Sequence, residues 1–93
     1  MSVYVDEMTV CLKSEHWPYS HVCHLVADSV EELHVFAGRL GLKRAWFQDR
    51  LYLPHYDLTI GKRLNAVRLG AIALDQSQFA EFMRKNRPSC AGD

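Results

Sequence analysis

The stretch from Val22 to Gly41 limits the fold of this chain more than any other. Val22 to Ala27 alternates with the period of a strand. Val22, His24 and Val26 point one way, and Cys23, Leu25 and Ala27 the other, as in a central strand. Asp28-Ser29 then starts a helix. Ser29 with Glu32 three residues on fits a capping box, and Asp28 with Glu31 fits nearly as well. Val30, Leu33, Phe36, Ala37 and Leu40 make its apolar stripe, and Gly41 suits the left-handed residue that follows a helix. Two histidines ride on these elements. His24 sits among apolar neighbours, and His34 lies on the border of the helical stripe, beside Val30 and Glu31. Taken residue by residue, each is better explained as a half-buried structural group than as a ligand or base.

The flanking segments read as further short elements. Residues 2–6 form a first strand, with Val3 and Val5 on one face, Tyr4 on the other, and Asp6 as a turn former or cap. Thr9 to Leu12 reads as an edge strand. Lys13 to Ser20 is a loop whose Trp17 and Tyr19 are expected to cover the core rather than line a pocket. Leu42 to Gln48 is a short helical turn with Trp46 and Phe47 packed inward, and Arg44 in solvent or beside an acid. Leu51 to Leu53 is a brief strand stopped by Pro54, which forces extended backbone before it. Ala71 to Leu74 is a short buried strand. Asp75 or Ser77 caps a last helix, with Phe79, Phe82 and Met83 packed down and Arg84, Lys85 and Arg87 outward. The alternation of strands and helices predicts an α/β fold, a short sheet of three to four strands packed with about three helices. The expected organisation is one domain over residues 1–87 and a frayed tail over 88–93 that carries Cys90.

The densest polar stretch is His55-Tyr56-Asp57, read as leading into a helix capped by Thr59 and ending at Gly70. Ile60, Leu64 and Val67 form that helix's apolar line. Arg63 falls on the same side, between Ala66 and Val67, while Lys62 points outward. A guanidinium placed there needs a carboxylate, backbone carbonyls or a bound anion, because an unpaired buried charge is costly. Asp57 is the nearest partner in sequence.

Composition sets outer bounds. A 93-residue chain holds one modest core. Its eleven basic and eleven acidic side chains cancel, so no global field draws it to nucleic acid or to an anionic membrane. No apolar run reaches the roughly 20 residues of a membrane span. Three unevenly spaced cysteines fit reduced thiols rather than a disulfide framework, and with no signal-like N-terminus a cytoplasmic setting is expected.

From Val3 almost to the last helix, the chain resembles an uncharacterised family of small bacterial and tailed-phage proteins, domain of unknown function 4031. The resemblance lies in Val3-Tyr4-Val5-Asp6, Cys23-His24-Leu25, Ala27-Asp28, Glu32-Leu33-His34, Phe36-Ala37 and Leu40-Gly41-Leu42. It continues through Trp46-Phe47-Gln48, Pro54-His55-Tyr56-Asp57-Leu58, Arg63 and Gly70-Ala71. It implies a bacterial or phage origin and brings no mechanism. The loop from His16 to His21 has no counterpart in the family pattern. The family's polar positions fall on Asp6, His24, Asp28, Glu32, His34, His55, Tyr56, Asp57 and Arg63. So many histidines and acids at strand ends and helix starts suit a shared site.

Three functions compete. The first is a cleft for a small anionic, phosphate- or nucleotide-like ligand, held by His34, Thr59 and Arg63, with Tyr56 and Trp46 stacking on a base. The second is metal-dependent phosphoester hydrolysis, with His24, His55 and Asp57 at the chemistry and a zinc or manganese ion drawn from His24, Asp28, His34, His55 and Asp57. The third is a protein-interaction module, such as a phage inhibitor of a host factor, that uses Trp17 and Tyr19. Zero net charge ranks nucleic acid below these, and homo-oligomerisation stays open.

Overall fold

A computed structural model describes residues 2–50 and 53–86. It contains β1 (Val3–Val5), β2 (Thr9–Val10), β3 (His21–Ala27), α1 (Val30–Arg39), a 3-10 turn (Arg44–Trp46), β4 (Tyr56–Leu58), α2 (Ile60–Arg68), β5 (Ile72–Ala73) and α3 (Gln76–Lys85). The fold is α/β, with five strands where three to four were expected. The brief strand expected over Leu51–Leu53 falls largely on residues outside the described set, as do Arg87, Cys90 and the expected tail.

β3 is the centre of the sheet. β1 and β4 pair antiparallel to it, and β5 pairs parallel to β1. β2 also pairs antiparallel with β3, but out of step with β1. Val5 faces Leu25, whereas Thr9 faces Val22, so one extra residue is accommodated between them. That is the signature of a β-bulge, which bends a strand and re-aims the side chains beside it. Asp6 stands at the start of the irregularity, its N–H bonded to the His24 carbonyl at 3.3 Å.

The alternation of β3 sorts the molecule into layers. Cys23 and Leu25 face the main core with Val5, Leu33, Phe36, Ala37, Leu40, Tyr56, Leu58 and Ala66. Each large side chain buried there contributes about 1.5–3 kcal/mol. The opposite face carries Tyr4, His24 and Val26, and α3 covers it. Phe82 lies 5.2 Å from the Tyr4 ring and Phe79 stacks at 5.7 Å on the His24 ring.

Local signals set most helix ends. Ser29 Oγ accepts the Glu32 N–H at 3.2 Å, and Gly41 follows α1 at φ 81. Glu32 answers through the Ser29 hydroxyl rather than the backbone N–H of a full capping box. Asp75 and Gln78 do form the reciprocal box at the start of α3. Thr59 caps α2 by accepting the Lys62 N–H, and Gly70 at φ 113 follows it.

Four expectations need correction. Tyr56–Leu58 is strand β4, with His55 bridged to Gln48 just before it, where the stretch was read only as leading into a helix. The apolar line of α2 is not its buried side: Ile60, Leu64 and Val67 are exposed, and the small side chain of Ala66 meets the sheet. Ile72 in β5 and Val30 in α1 are exposed too, because β5 lies at the sheet edge and α1 packs through Leu33, Phe36 and Ala37. Trp46 turns to solvent while Phe47 packs against the core.

Candidate metal centre and adjoining cleft

His24 on β3 lies directly opposite Asp57 on β4. His55 precedes Asp57 by two residues, so the strand period puts both on the same face as His24 and sends Tyr56 into the core. One ligand atom from each of His24, His55 and Asp57 lies within 4.8 Å of the others. His55 Nε2 is 3.4 Å from Asp57 Oδ1.

Each imidazole is held through Nδ1. His24 Nδ1 meets Asp6 Oδ2 at 2.8 Å, while Asp6 Oδ1 accepts the His24 backbone N–H at 2.5 Å. His55 Nδ1 meets the Leu53 carbonyl at 2.7 Å. A carbonyl only accepts, so Nδ1 of His55 carries a proton, and Nε2 is the nitrogen that faces the Asp57 carboxylate. Asp57 is oriented in turn by Gln48, whose amide donates to Oδ2. Gln48 is itself placed by a bridge to His55, with backbone bonds of 2.9 and 3.1 Å.

The electrostatics follow from these contacts. The hydrogen bond to Asp6 raises the His24 pKa; burial opposes it and the Asp6 and Asp57 charges reinforce it. Burial pushes the Asp57 pKa up, but hydrogen bonds from His55 and Gln48, with the charges of His55 and His24, outweigh it and hold the carboxyl below its ordinary value. Cys23, across the sheet, is driven by burial to about 12 and is inert as a nucleophile or ligand.

The remaining candidates lie elsewhere. Asp28 accepts from the Ser2 backbone N–H at 2.7 Å and the Tyr4 hydroxyl at 3.0 Å, and so ties down the first strand. His34 Nδ1 pairs with the Tyr56 hydroxyl at 2.9 Å, and its ring sits edge-on to Phe47. Tyr56 is 1% exposed and has no face free for a ligand. Arg63 does not meet Asp57; its Nε donates to the Asp6 carbonyl at 2.8 Å.

Asp57 and Gln48 also open onto a cleft of about 640 Å³, with Trp17, Tyr19, Trp46, Thr59 and Lys62 among its walls. The loop aromatics therefore line a pocket instead of sealing the core. Lys62 is not free surface either, since its ammonium donates to the Leu40 carbonyl at 2.8 Å. Sequence reasoning passed over Gln48 and Lys62. Gln48 carried a signal in its place beside Trp46-Phe47, whereas Lys62 carried none, because its role depends on how α2 meets the end of α1.

Among the described residues, no helix is long and apolar enough to cross a membrane. Residues 3–86 match a family described as Protein of unknown function (DUF4031). No curated protein and no solved structure matches the chain.

Proposed function

Because the chain belongs to the DUF4031 family, whose description assigns no activity, we propose a function from the site itself: a metal-dependent phosphoester hydrolase with a divalent ion held by His24, His55 and Asp57. The observation that carries this reading is the fixing of both imidazoles. One is bonded through Nδ1 to a carboxylate and the other to a backbone carbonyl, the outer-shell arrangement that orients metal-binding histidines. A tetrahedral zinc ion with bonds of about 2.0–2.1 Å spaces its ligand atoms roughly 3.4 Å apart. His55 Nε2 and Asp57 Oδ1 already stand at that separation, and a ligand atom of His24 lies within 4.8 Å of both. Two imidazoles and one carboxylate leave a fourth position open, as in hydrolytic zinc sites.

An ion so held would supply Lewis acidity and would lower the pKa of its bound water toward neutrality. In hydrolysis the water oxygen bonds to phosphorus, the ester P–O bond breaks, and the leaving oxygen departs as an alcohol carrying a proton. Gln48 keeps Asp57 in place, and Asp6 keeps His24 in place. The ammonium of Lys62 at the cleft wall favours an anionic substrate, the role first expected of Arg63. Non-catalytic anion binding in the same cleft is the second reading, supported by Lys62 and the exposed Trp46. The free thiols of Cys11 and Cys23 support a reducing, cytoplasmic setting, and the family resemblance supports a bacterial or phage source.

The test is metal analysis of protein purified without an affinity tag, calorimetric titration with Zn²⁺ and Mn²⁺, and turnover of bis(p-nitrophenyl) phosphate. We expect one ion per chain, abolished by Asp57→Ala and weakened about 10- to 100-fold by Asp6→Asn, the usual cost of losing an outer-shell partner. Ion binding without turnover would select the anion-binding reading. No ion in the wild-type protein, or equal affinity in Asp57→Ala, would remove the metal centre.

A further inference from the structure

We infer that the substrate is a mononucleotide, its base held against the aromatic walls of the cleft and its phosphate lying between Lys62 and Asp57. This rests on the metal-hydrolase reading, because Asp57 belongs to both the cleft and the ion site.

The walls come first. Trp46 is 51% exposed and Tyr19 is 49% exposed, and both border the same cleft. A flat heteroaromatic ring stacks on exposed aromatic faces whatever its sequence. The wall is organised before anything binds. The Trp17 indole N–H donates to the His21 carbonyl at 3.1 Å, and the Trp17 ring meets Tyr19 edge-on at 5.0 Å and 71°. On the facing side, the Lys43 ammonium lies 5.7 Å over the Trp46 ring and holds that indole by a cation–π contact. The volume of about 640 Å³ is in the range of pockets that enclose one small ligand.

The polar end comes next. Lys62 spends one N–H on the Leu40 carbonyl and keeps two donors for a ligand. The Asp57 carboxylate, which borders the same cleft, repels a phosphate unless a cation lies between them. With a divalent ion on His24, His55 and Asp57, the same end attracts one. The cleft thus couples a metal-independent ring site to a metal-dependent phosphate site. A long nucleic acid is a poorer fit, because the chain's eleven basic and eleven acidic residues give no net field to gather a polyanion.

Calorimetry on the full chain separates these parts, with adenosine, adenosine 5′-monophosphate and ribose 5-phosphate as probes, each with EDTA and with excess Zn²⁺. We expect adenosine to bind equally in both conditions and the nucleotide to bind at least tenfold tighter with zinc. Ribose 5-phosphate should bind at least tenfold more weakly than the nucleotide. Trp46→Ala should weaken adenosine and the nucleotide together, by about tenfold. Lys62→Gln should weaken the nucleotide and leave adenosine unchanged. Zinc binding with no nucleotide binding, equal affinity for nucleotide and ribose 5-phosphate, or an unaffected Trp46→Ala overturns the inference while the metal centre stands. Adenosine and nucleotide binding that is identical with and without zinc, in a protein that takes up no zinc, overturns the metal reading and leaves only the ring site.

Discussion

Asp6 shows what a single residue's chemistry can hide. Its carboxylate holds both the backbone N–H and the ring of His24, and its carbonyl takes the Arg63 Nε–H. In the sequence it is a carboxylate at a strand end, where a turn or cap is the ordinary use. Its place opposite His24 continues the register of β1 with β3, a pairing that the sequence of either strand alone does not display. The His55-Tyr56-Asp57 run was closer to legible. Read with the strand period, it puts His55 and Asp57 on one face and Tyr56 on the other. A three-residue strand between Pro54 and the Thr59 cap is too short to display that period by itself. His34 carried the family signature but serves the packing of Tyr56 and Phe47. Burial lowers its pKa, the Arg44 charge adds to this, and its Nε2 is buried without a partner among the described residues. The native state then binds fewer protons here than the unfolded chain does. The stability His34 contributes is whole above about 6.5 and is lost as pH falls toward the lower folded value. His24, with its raised pKa, contributes in the opposite sense, below its ordinary value and less as pH rises. The informative comparison is therefore between variants. His34→Gln, which keeps an acceptor for the Tyr56 hydroxyl, should lose less stability than wild type between pH 7 and pH 5 in urea titrations. An equal loss in both proteins would show that His34 ionises freely in the fold.

Among the elements, α1 was readable from its caps and stripe, and α2 was not. In α2 the apolar residues Ile60, Leu64 and Val67 suggested the buried side, yet the helix meets the sheet through Ala66. A small residue lets the helix backbone approach β3 closely. The long stems of Lys62 and Arg63 then run along the interface to reach the carbonyls of Leu40 and Asp6. Partner carbonyls on distant elements are invisible to a helical wheel, so charges that looked misplaced or superficial turn out to be satisfied at the seam. Two substitutions distinguish the faces. Ala66→Leu forces extra volume into a packed interface and should destabilise by about 1–3 kcal/mol. Leu64→Gln, at a position 62% exposed, should change stability by no more than about 0.5 kcal/mol. Urea unfolding of both variants measures this, and the opposite ranking would mean that α2 is rotated about its axis relative to the sheet.

At the scale of the whole molecule, the proposed ion site would act as a clasp across the sheet. It joins β3 through His24 and β4 through His55 and Asp57, and Asp6 extends it to the end of β1. A 93-residue domain has a small core and correspondingly modest stability. An ion that binds only the assembled site adds its full linkage energy to folding, about 2.7 kcal/mol at a hundredfold excess over Kd. For a domain of this size each kcal/mol moves Tm by about 4–8 °C, so zinc should raise Tm by roughly 10–20 °C relative to protein in EDTA. The increment should grow with the logarithm of zinc concentration, because it is mass action and not a fixed structural gain. In Asp57→Ala the increment should vanish while the zinc-free protein still melts cooperatively. That control matters because an unfolded chain with histidines and thiols binds zinc too, which would lower Tm instead of raising it. A rise of the same size in Asp57→Ala would place the stabilising ion somewhere other than between β3 and β4.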